Sequence, residues 1–183
     1  MTDDPFLLVV GGARSGKSDF AIEAARRRRR PTTFVATAQA GDADMADRIS
    51  RHQADRPSSW GLIEEPLALA KAVEAVPADH VIVLDCLTLW VANALFAERT
   101  ESETVAEATE VARELGRREP LSVVVTNEVG LGIHPETSMG RHYRDRLGRV
   151  NAAVAAVADR TLFFAAGLAM PLADPFRLLS DGE

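Results

Sequence analysis

The 183-residue chain lacks the features that mark several large classes of protein. It contains one cysteine, Cys86, which excludes an internal disulfide and is typical of a reducing compartment. No apolar run approaches the roughly 18 residues of a membrane-spanning helix. The N-terminal Met-Thr-Asp-Asp is acidic, whereas a signal peptide begins with basic residues. From these absences we expect a soluble, cytoplasmic protein with no membrane partner.

The chain also has no net positive charge. The chain has 21 Lys and Arg against 27 Asp and Glu, so its formal net charge is −6. A general nucleic-acid-binding protein normally presents a basic face, so the charge argues against a nucleic-acid partner. The sequence contains no internal repeat, linker or low-complexity segment. Its length suits one domain and its 46% apolar content can supply a full core, so we expect a single domain over residues 1–183.

Apolar runs alternate with helical patterns along the chain. The runs lie at residues 6–10, 32–37, 80–85, 121–127 and 160–167, with helices expected between them at 17–30, 42–54, 67–76, 87–98, 100–116 and 138–158. Strands that are apolar on both faces and separated by helices indicate a mostly parallel sheet with helices on both faces. The predicted fold class is therefore α/β. Residues 58–65 suit a short further strand, and the residues after 167 are expected to be irregular or a short edge element.

The first apolar run leads directly into a glycine-bearing loop. Its glycines let backbone N–H groups wrap around phosphate oxygens, and the helix that follows presents its positive end to them. Lys17 would reach the β- and γ-phosphates, and the Ser18 hydroxyl would ligate Mg²⁺. A plain glycine-rich turn is the alternative, but the position between an apolar strand and a helix favours a P-loop NTPase-like site. The pattern G-x-x-x-x-G-K-[ST] covers Gly11, Gly12, Ala13, Arg14, Ser15, Gly16, Lys17 and Ser18.

Asp85 ends the apolar run at residues 80–85. In P-loop proteins such a strand end holds the second acid that binds Mg²⁺, directly or through water. The alternative is that Asp85 caps the helix that follows it. Because the phosphate-binding loop is present, the metal-binding role is favoured.

His52 lies in the predicted helix at residues 42–54. Met45, Ile49 and His52 share one helical face, so spacing alone favours a partly buried histidine. The alternative is a nucleophile or acid–base group, because a neutral imidazole nitrogen can attack phosphorus at neutral pH. Arg56, in the polar loop that follows, could pair with a phosphate through two hydrogen bonds.

Two sets of arginines have more than one interpretation. Residues 26–30 are five consecutive arginines at the end of the first helix. A solvated helix end, where positive charge suits the helix dipole, is favoured over an anion site. Arg141, Arg144 and Arg149 lie along the last long helix. They form either a solvated face or a contact for an anionic substrate, and the pattern does not separate the two.

Six stretches of the chain stand out together: residues 11–18, 44–52, 56–60, 84–88, 126–133 and 148–151. Together they resemble one enzyme family, the bifunctional adenosylcobinamide kinases and adenosylcobinamide-phosphate guanylyltransferases of cobalamin assembly. The similarity extends from about residue 9 to residue 167. This combination of motifs is far more specific than the phosphate-binding loop alone.

The resemblance implies two reactions. In the first, ATP or GTP phosphorylates the aminopropanol hydroxyl of adenosylcobinamide. In the second, a histidine attacks the α-phosphate of GTP, expels pyrophosphate and carries GMP to adenosylcobinamide phosphate, which gives adenosylcobinamide-GDP. By position His52 would be that histidine, and this reverses the interpretation from spacing alone. His52 and Lys17 are the catalytic candidates.

The resemblance also implies residues around the guanine nucleotide and an assembly. Family members are similar in forming homotrimers with sites between subunits, so we expect a homo-oligomer. Two departures concern the site: Arg51 precedes His52 where some relatives carry paired histidines, and Asp85 stands where some carry Glu. The shorter acid moves the carboxylate by about one carbon, and active sites are sensitive to displacements near 1 Å. Beyond the loop, the implied nucleotide-binding residues are Ala36, Thr37, Ala38, Gln53, Ala54, Asp55, Arg56, Glu64 and Asp85.

Two other functions stay open from the sequence. A monofunctional P-loop kinase for another small alcohol would need the loop but would form no covalent nucleotide. A non-enzymatic GTP-binding protein would change partners with its nucleotide state. That second alternative is weakened because the sequence has no Asn-Lys-x-Asp guanine-reading motif.

Overall fold

The structure is a computed structural model in which residues 6–38 and 57–176 are described. Within these two ranges no helix has both the length and the apolar character needed to cross a membrane. The predicted helix at 42–54 lies outside the described residues, and so do the candidates His52, Gln53, Ala54, Asp55 and Arg56.

The described strands form one mostly parallel sheet. Across the sheet the order is β3-β2-β4-β5-β1-β6-β7, and all neighbours are parallel except β6 and β7. The predicted α/β class is therefore confirmed, and residues 168–172 form an antiparallel edge strand. In chain order the strands are β1 (Phe6–Gly11), β2 (Thr32–Ala36), β3 (Gly61–Glu64), β4 (Val81–Asp85), β5 (Ser122–Val125), β6 (Arg160–Ala165) and β7 (Leu168–Leu172).

Helices cover both faces of the sheet unequally in the described residues. One face packs on Ala21 and Ala25 of the first helix, and the other face packs on the remaining four helices. Each central strand is therefore buried on both sides, which explains the unbroken apolar runs. The helices are α1 (Lys17–Arg28), α2 (Leu69–Glu74), α3 (Leu87–Phe96), α4 (Glu101–Arg117) and α5 (Ser138–Ala155).

Local signals set the helix ends. α1 ends at Arg28, and Arg29 adopts a left-handed φ of 52° just before Pro31. α4 begins after Thr100, whose side chain accepts a hydrogen bond from Glu103 N while the Glu103 carboxylate accepts one from Thr100 N. α4 is amphipathic: its face with Leu115 is buried in the core, and its opposite face is exposed.

Candidate nucleotide site

The carboxyl ends of the parallel strands bring the described candidates to one edge. Ala36 pairs in register with Glu64 of β3 on one side and with Asp85 of β4 on the other. Asp85 pairs with Val125 of β5, which in turn pairs with Val9 of β1, just before the loop. Residues in one row of a sheet point to the same face, and Val9 and Val125 belong to the core under α1. The row therefore places Glu64 and Asp85 on the face that carries α1.

Lys17 is held inside its own loop at the start of α1. Its side chain is only 6% exposed. Its Nζ donates hydrogen bonds to Gly12 O at 2.5 Å and to Ser15 Oγ at 3.2 Å. Burial lowers the pKa of Lys17, and the nearby Asp85 carboxylate opposes part of that shift. The loop thus presents a cation beside the acid that the sequence predicts to bind metal.

β6 shapes the loop from the opposite side. A Cβ on Gly11 would lie 2.2 Å from Phe164 O, so no side chain fits at this position. Gly167 N donates to Ser15 O at 3.2 Å and ties the β6–β7 turn to the loop. Gly16 has a φ of 92°, a conformation that favours glycine, immediately before α1. The loop is therefore shaped by the neighbouring strand as well as by its own glycines.

The first turn of α1 supplies groups suited to a phosphate and a metal ion. Gly16 provides no side-chain cap, so the N–H groups at this helix end are available to an anion. Ser18 is half-buried in the same turn. A serine hydroxyl and an Asp85 carboxylate, joined by phosphate oxygens and water, match the oxygen ligands that Mg²⁺ prefers. In the described ranges, no group of three or more His, Cys, Asp or Glu is placed to hold a metal ion.

Thr37 is fully buried and its side chain is occupied by the protein itself. Its Oγ1 donates to Cys86 O at 2.7 Å and accepts from Cys86 N at 3.0 Å. Thr37 N also donates to Asp85 O at 3.2 Å, and Asn93 Nδ2 donates to Thr37 O at 2.9 Å. These bonds fasten the end of β2 to the cis peptide bond between Asp85 and Cys86. Thr37 therefore positions Asp85, a role that sequence reasoning missed.

Two groups behind the site remain neutral. Burial raises the pKa of Cys86 to about 12, and the charge on Asp85 adds to this effect. Cys86 is therefore a thiol and not a nucleophilic thiolate near neutral pH. Burial also raises the pKa of Tyr143, whose hydroxyl donates to Thr88 O at 3.2 Å.

A cleft opens beside the phosphate-binding loop. It has a volume of about 300 Å³ and is bounded by the loop, the segment after β5 and the end of β6. Glu128 contributes a carboxylate to the lining, and Leu131, Phe163 and Phe164 contribute apolar side chains. From the sequence, the 126–133 stretch is the end of a predicted strand and part of the family resemblance, and none of its residues is assigned a catalytic role.

The arginine sets have protein partners or solvent around them. Residues 26–30 are exposed at the end of α1, where Arg27 pairs with Glu23. On α5, Arg144 contacts Asp145 and His134, and Arg149 pairs with Glu101. Both arginines therefore have protein partners at the surface of the molecule.

Named relatives match the chain over most of its length. It is 40% identical over 166 residues to the bifunctional adenosylcobalamin biosynthesis protein CobP of Pseudomonas aeruginosa, covering 90% of this chain and 95% of that protein. It is 37% identical to the bifunctional adenosylcobalamin biosynthesis protein CobU of Salmonella typhimurium and 35% identical to CobU of Escherichia coli. Each of these two matches covers 91% of this chain and 98% of the relative.

Solved structures share the fold at low sequence identity. A protein from Pyrococcus horikoshii OT3 has a TM-score of 0.55 at 10% identity, covering 92% of this chain and 85% of its own. The RadB recombinase has a TM-score of 0.51 at 14% identity, covering 87% and 74%. An ATPase from a bacterial type III secretion system has a TM-score of 0.53 at 9% identity, covering 90% and 56%. These likenesses support the P-loop NTPase-like fold and nothing finer.

A family described as cobinamide kinase / cobinamide phosphate guanyltransferase matches residues 7–172. The match runs from β1 to the end of β7, so it includes the loop at 11–18, the row with Asp85 and the cleft with Glu128. The relatives named above are described as bifunctional proteins of adenosylcobalamin biosynthesis. The chain therefore belongs to the cobinamide kinase / cobinamide phosphate guanyltransferase family.

Proposed function

We propose that the chain catalyses two successive reactions of cobalamin biosynthesis. It phosphorylates adenosylcobinamide and then transfers GMP from GTP to the phosphorylated product, which gives adenosylcobinamide-GDP. The observation that carries the proposal is the family match over residues 7–172, in a fold that gathers the phosphate-binding loop, Asp85 and Glu64 at one edge of the sheet.

Both reactions require a bound triphosphate. The N–H groups of residues 12–18 and the Lys17 ammonium would neutralise its phosphates, and this is most of what phosphoryl transfer asks of a protein. Ser18 and Asp85 would hold Mg²⁺, which supplies further charge neutralisation and orients the phosphates. Thr37 keeps Asp85 in place through Cys86.

His52 is the proposed nucleophile of the second reaction. Its imidazole nitrogen bonds to the α-phosphorus of GTP while the bond to the pyrophosphate oxygen breaks. The phosphate of adenosylcobinamide phosphate then displaces the histidine and takes the GMP. A covalent intermediate divides one difficult transfer into two easier ones. The proposed guanine-nucleotide contacts outside the loop are Ala36, Ala38, Gln53, Ala54, Asp55, Arg56, Glu64 and Asp85. Thr37, which the resemblance also implied, is fully buried and would act by holding Asp85 in place.

Labelled GTP tests the whole proposal. We expect wild-type protein incubated with Mg²⁺ and α-labelled GTP to acquire covalent label that is stable to denaturation, because the phosphoramidate is a covalent bond. His52→Ala should acquire none, while the same variant should still transfer label from γ-labelled nucleotide to adenosylcobinamide. His134→Ala is the matched control, since it removes an exposed loop histidine.

The same experiment separates the alternatives. A monofunctional kinase would transfer γ-label to an alcohol but acquire no α-label, and a GTP-binding protein without enzymatic activity would do neither. Label that still reaches the His52→Ala protein would contradict the assignment of the nucleophile.

We also propose that the chain forms a homo-oligomer, a trimer by resemblance. Its support is the exposed apolar surface: Leu168, Met170 and Leu172 alternate along the edge strand β7, and Phe96 is 71% exposed at the end of α3. Sedimentation velocity of the purified protein tests this. We expect a species heavier than the 19.8 kDa chain, and a monomer across micromolar concentrations would contradict it.

A further inference from the structure

We propose that Glu128 is a catalytic residue of the phosphoryl-transfer reaction. Its carboxylate accepts the proton of the substrate hydroxyl in the cleft beside the phosphate-binding loop. This inference rests on the proposed kinase function, and it concerns a residue outside the nucleotide site described above.

The cleft places the carboxylate next to the phosphate-binding loop. Residues 12–15 of the loop and Glu128 line the same space of about 300 Å³. That volume is at the small end of ligand pockets, so it suits the hydroxyl-bearing arm of a substrate better than a whole corrinoid. Leu131, which borders the cleft and is 80% exposed, leaves apolar surface outside it for the rest of such a substrate.

The residues before Glu128 fix the backbone that carries it. Thr126 is fully buried, its N donates to Val9 O at 2.9 Å, and its Oγ1 donates to Asn151 Oδ1 at 2.8 Å. Asn127 is held at both backbone polar atoms: its N donates to Thr88 Oγ1 at 2.8 Å, and its O accepts from Asn151 Nδ2 at 3.0 Å. Buried polar side chains are thus used to hold this short stretch.

Glu128 itself is joined to the start of the phosphate-binding loop. Glu128 N donates to Gly11 O at 3.1 Å, so the backbone position of Glu128 is tied to that of the phosphate-binding loop. Gly130 N donates to Glu128 Oε1 at 2.5 Å. A Cβ on Gly130 would lie 2.8 Å from the same oxygen, so the glycine leaves room for the carboxylate as well as binding it. The Glu-x-Gly spacing therefore orients the acid.

The carboxylate lies on the opposite face of the sheet from the metal-binding candidate. The bonds from Thr126 N to Val9 O and from Glu128 N to Gly11 O continue the pairing of β5 with β1. Side chains alternate along such an extended segment, so Glu128 shares the face of Thr126 and not that of Asp85. In-line transfer puts the attacking and leaving oxygens on opposite sides of phosphorus. A proton acceptor on one side and metal ligands on the other fit that arrangement.

The proposed step accounts for every bond that forms or breaks and for the proton that moves. The substrate hydroxyl oxygen bonds to the γ-phosphorus as its O–H proton moves to the Glu128 carboxylate. The bond from the γ-phosphorus to the bridging oxygen breaks, and the nucleoside diphosphate leaves with the electron pair. The covalent uptake of GMP has no hydroxyl to deprotonate, so it does not need Glu128.

Glu128→Gln tests the assignment because it keeps the size and the oxygen that Gly130 N can bind. We expect the kcat for transfer of γ-label to adenosylcobinamide to fall by about 10²- to 10⁴-fold, the usual contribution of a general base. The nucleotide KM and the covalent uptake of α-label should be unchanged. Glu136→Gln, an exposed glutamate in the same loop, should behave as wild type in every assay.

Two results would overturn the assignment. One is a Glu128→Gln variant with a wild-type kinase rate. The other is equal loss of γ-transfer and α-label uptake, which would place Glu128 in nucleotide binding or folding. Wild-type protein that acquires α-label but phosphorylates no cobinamide would overturn the proposed kinase function itself, and the assignment with it.

Discussion

Gly11 shows how a single residue serves two purposes. The phosphate-binding pattern explains a glycine there by the approach of a phosphate. The structure adds a second reason, because Phe164 O of β6 occupies the space that a Cβ would need. The motif identified the residue, but only the sheet order reveals that a neighbouring strand also requires it.

Glu65 yields a prediction that depends on pH. Its Oε1 accepts hydrogen bonds from Leu67 N and Ala68 N, both at 2.8 Å, just before α2. These bonds, with that from Ala68 the stronger influence, lower the pKa of Glu65 below its ordinary 4.5. A lowered folded pKa means that the added stability is present above pH 4.5 and is lost as the pH falls through the folded value. We expect Glu65→Ala to cost about 1 kcal/mol at neutral pH, as loss of a helix cap does.

Urea unfolding at neutral pH and near pH 3 measures the effect. The difference between wild type and Glu65→Ala should shrink as the pH falls through the folded pKa of Glu65, because the carboxyl group is then protonated in both the folded and the unfolded protein. Glu74→Ala, at the other end of α2 and exposed, should show little difference at either pH. An equal loss of stability at both pH values would show that the charge on Glu65 is not responsible.

Among secondary-structure elements, the positions of the central strands in the sequence were predictable, but the order of the strands in the sheet was not. Buried parallel strands are apolar on both faces, so β1, β4 and β5 stand out in the sequence. Their order depends on contacts between distant parts of the chain, and no local pattern places β5 between β1 and β4. α2 is shorter than the predicted 67–76, since Glu65 binds the first N–H groups and the regular helix begins at Leu69.

The site was predictable to different degrees for similar reasons. Lys17 and Ser18 were predicted from a local motif at the start of α1. The structure places Asp85 on the face of the sheet that carries α1. The residue pattern left the role of His52 open, and the resemblance alone favoured it as the nucleophile; its position lies outside the described residues. The positioning role of Thr37 and a role for Glu128 could not be predicted from sequence because their partners, Cys86 and the loop at Gly11, are far along the chain.

For the whole molecule, the sheet divides the proposed chemistry between its two faces. The row with Glu64 and Asp85 lies on the α1 face, and Glu128 lies on the opposite face, with the phosphate-binding loop between them. One triphosphate site can therefore meet metal ligands from one side and a substrate hydroxyl from the other. This arrangement arises from β5 lying between β1 and β4.

The most direct test of this account is a crystal structure with a slowly hydrolysed GTP analogue and Mn²⁺, with the ion located by its anomalous scattering. We expect the triphosphate to lie against the N–H groups of residues 12–18 with Lys17 Nζ on its phosphates. The Mn²⁺ should lie between Ser18 and Asp85, directly or through water. A triphosphate bound away from the loop, or an ion that contacts neither Ser18 nor Asp85, would contradict the account.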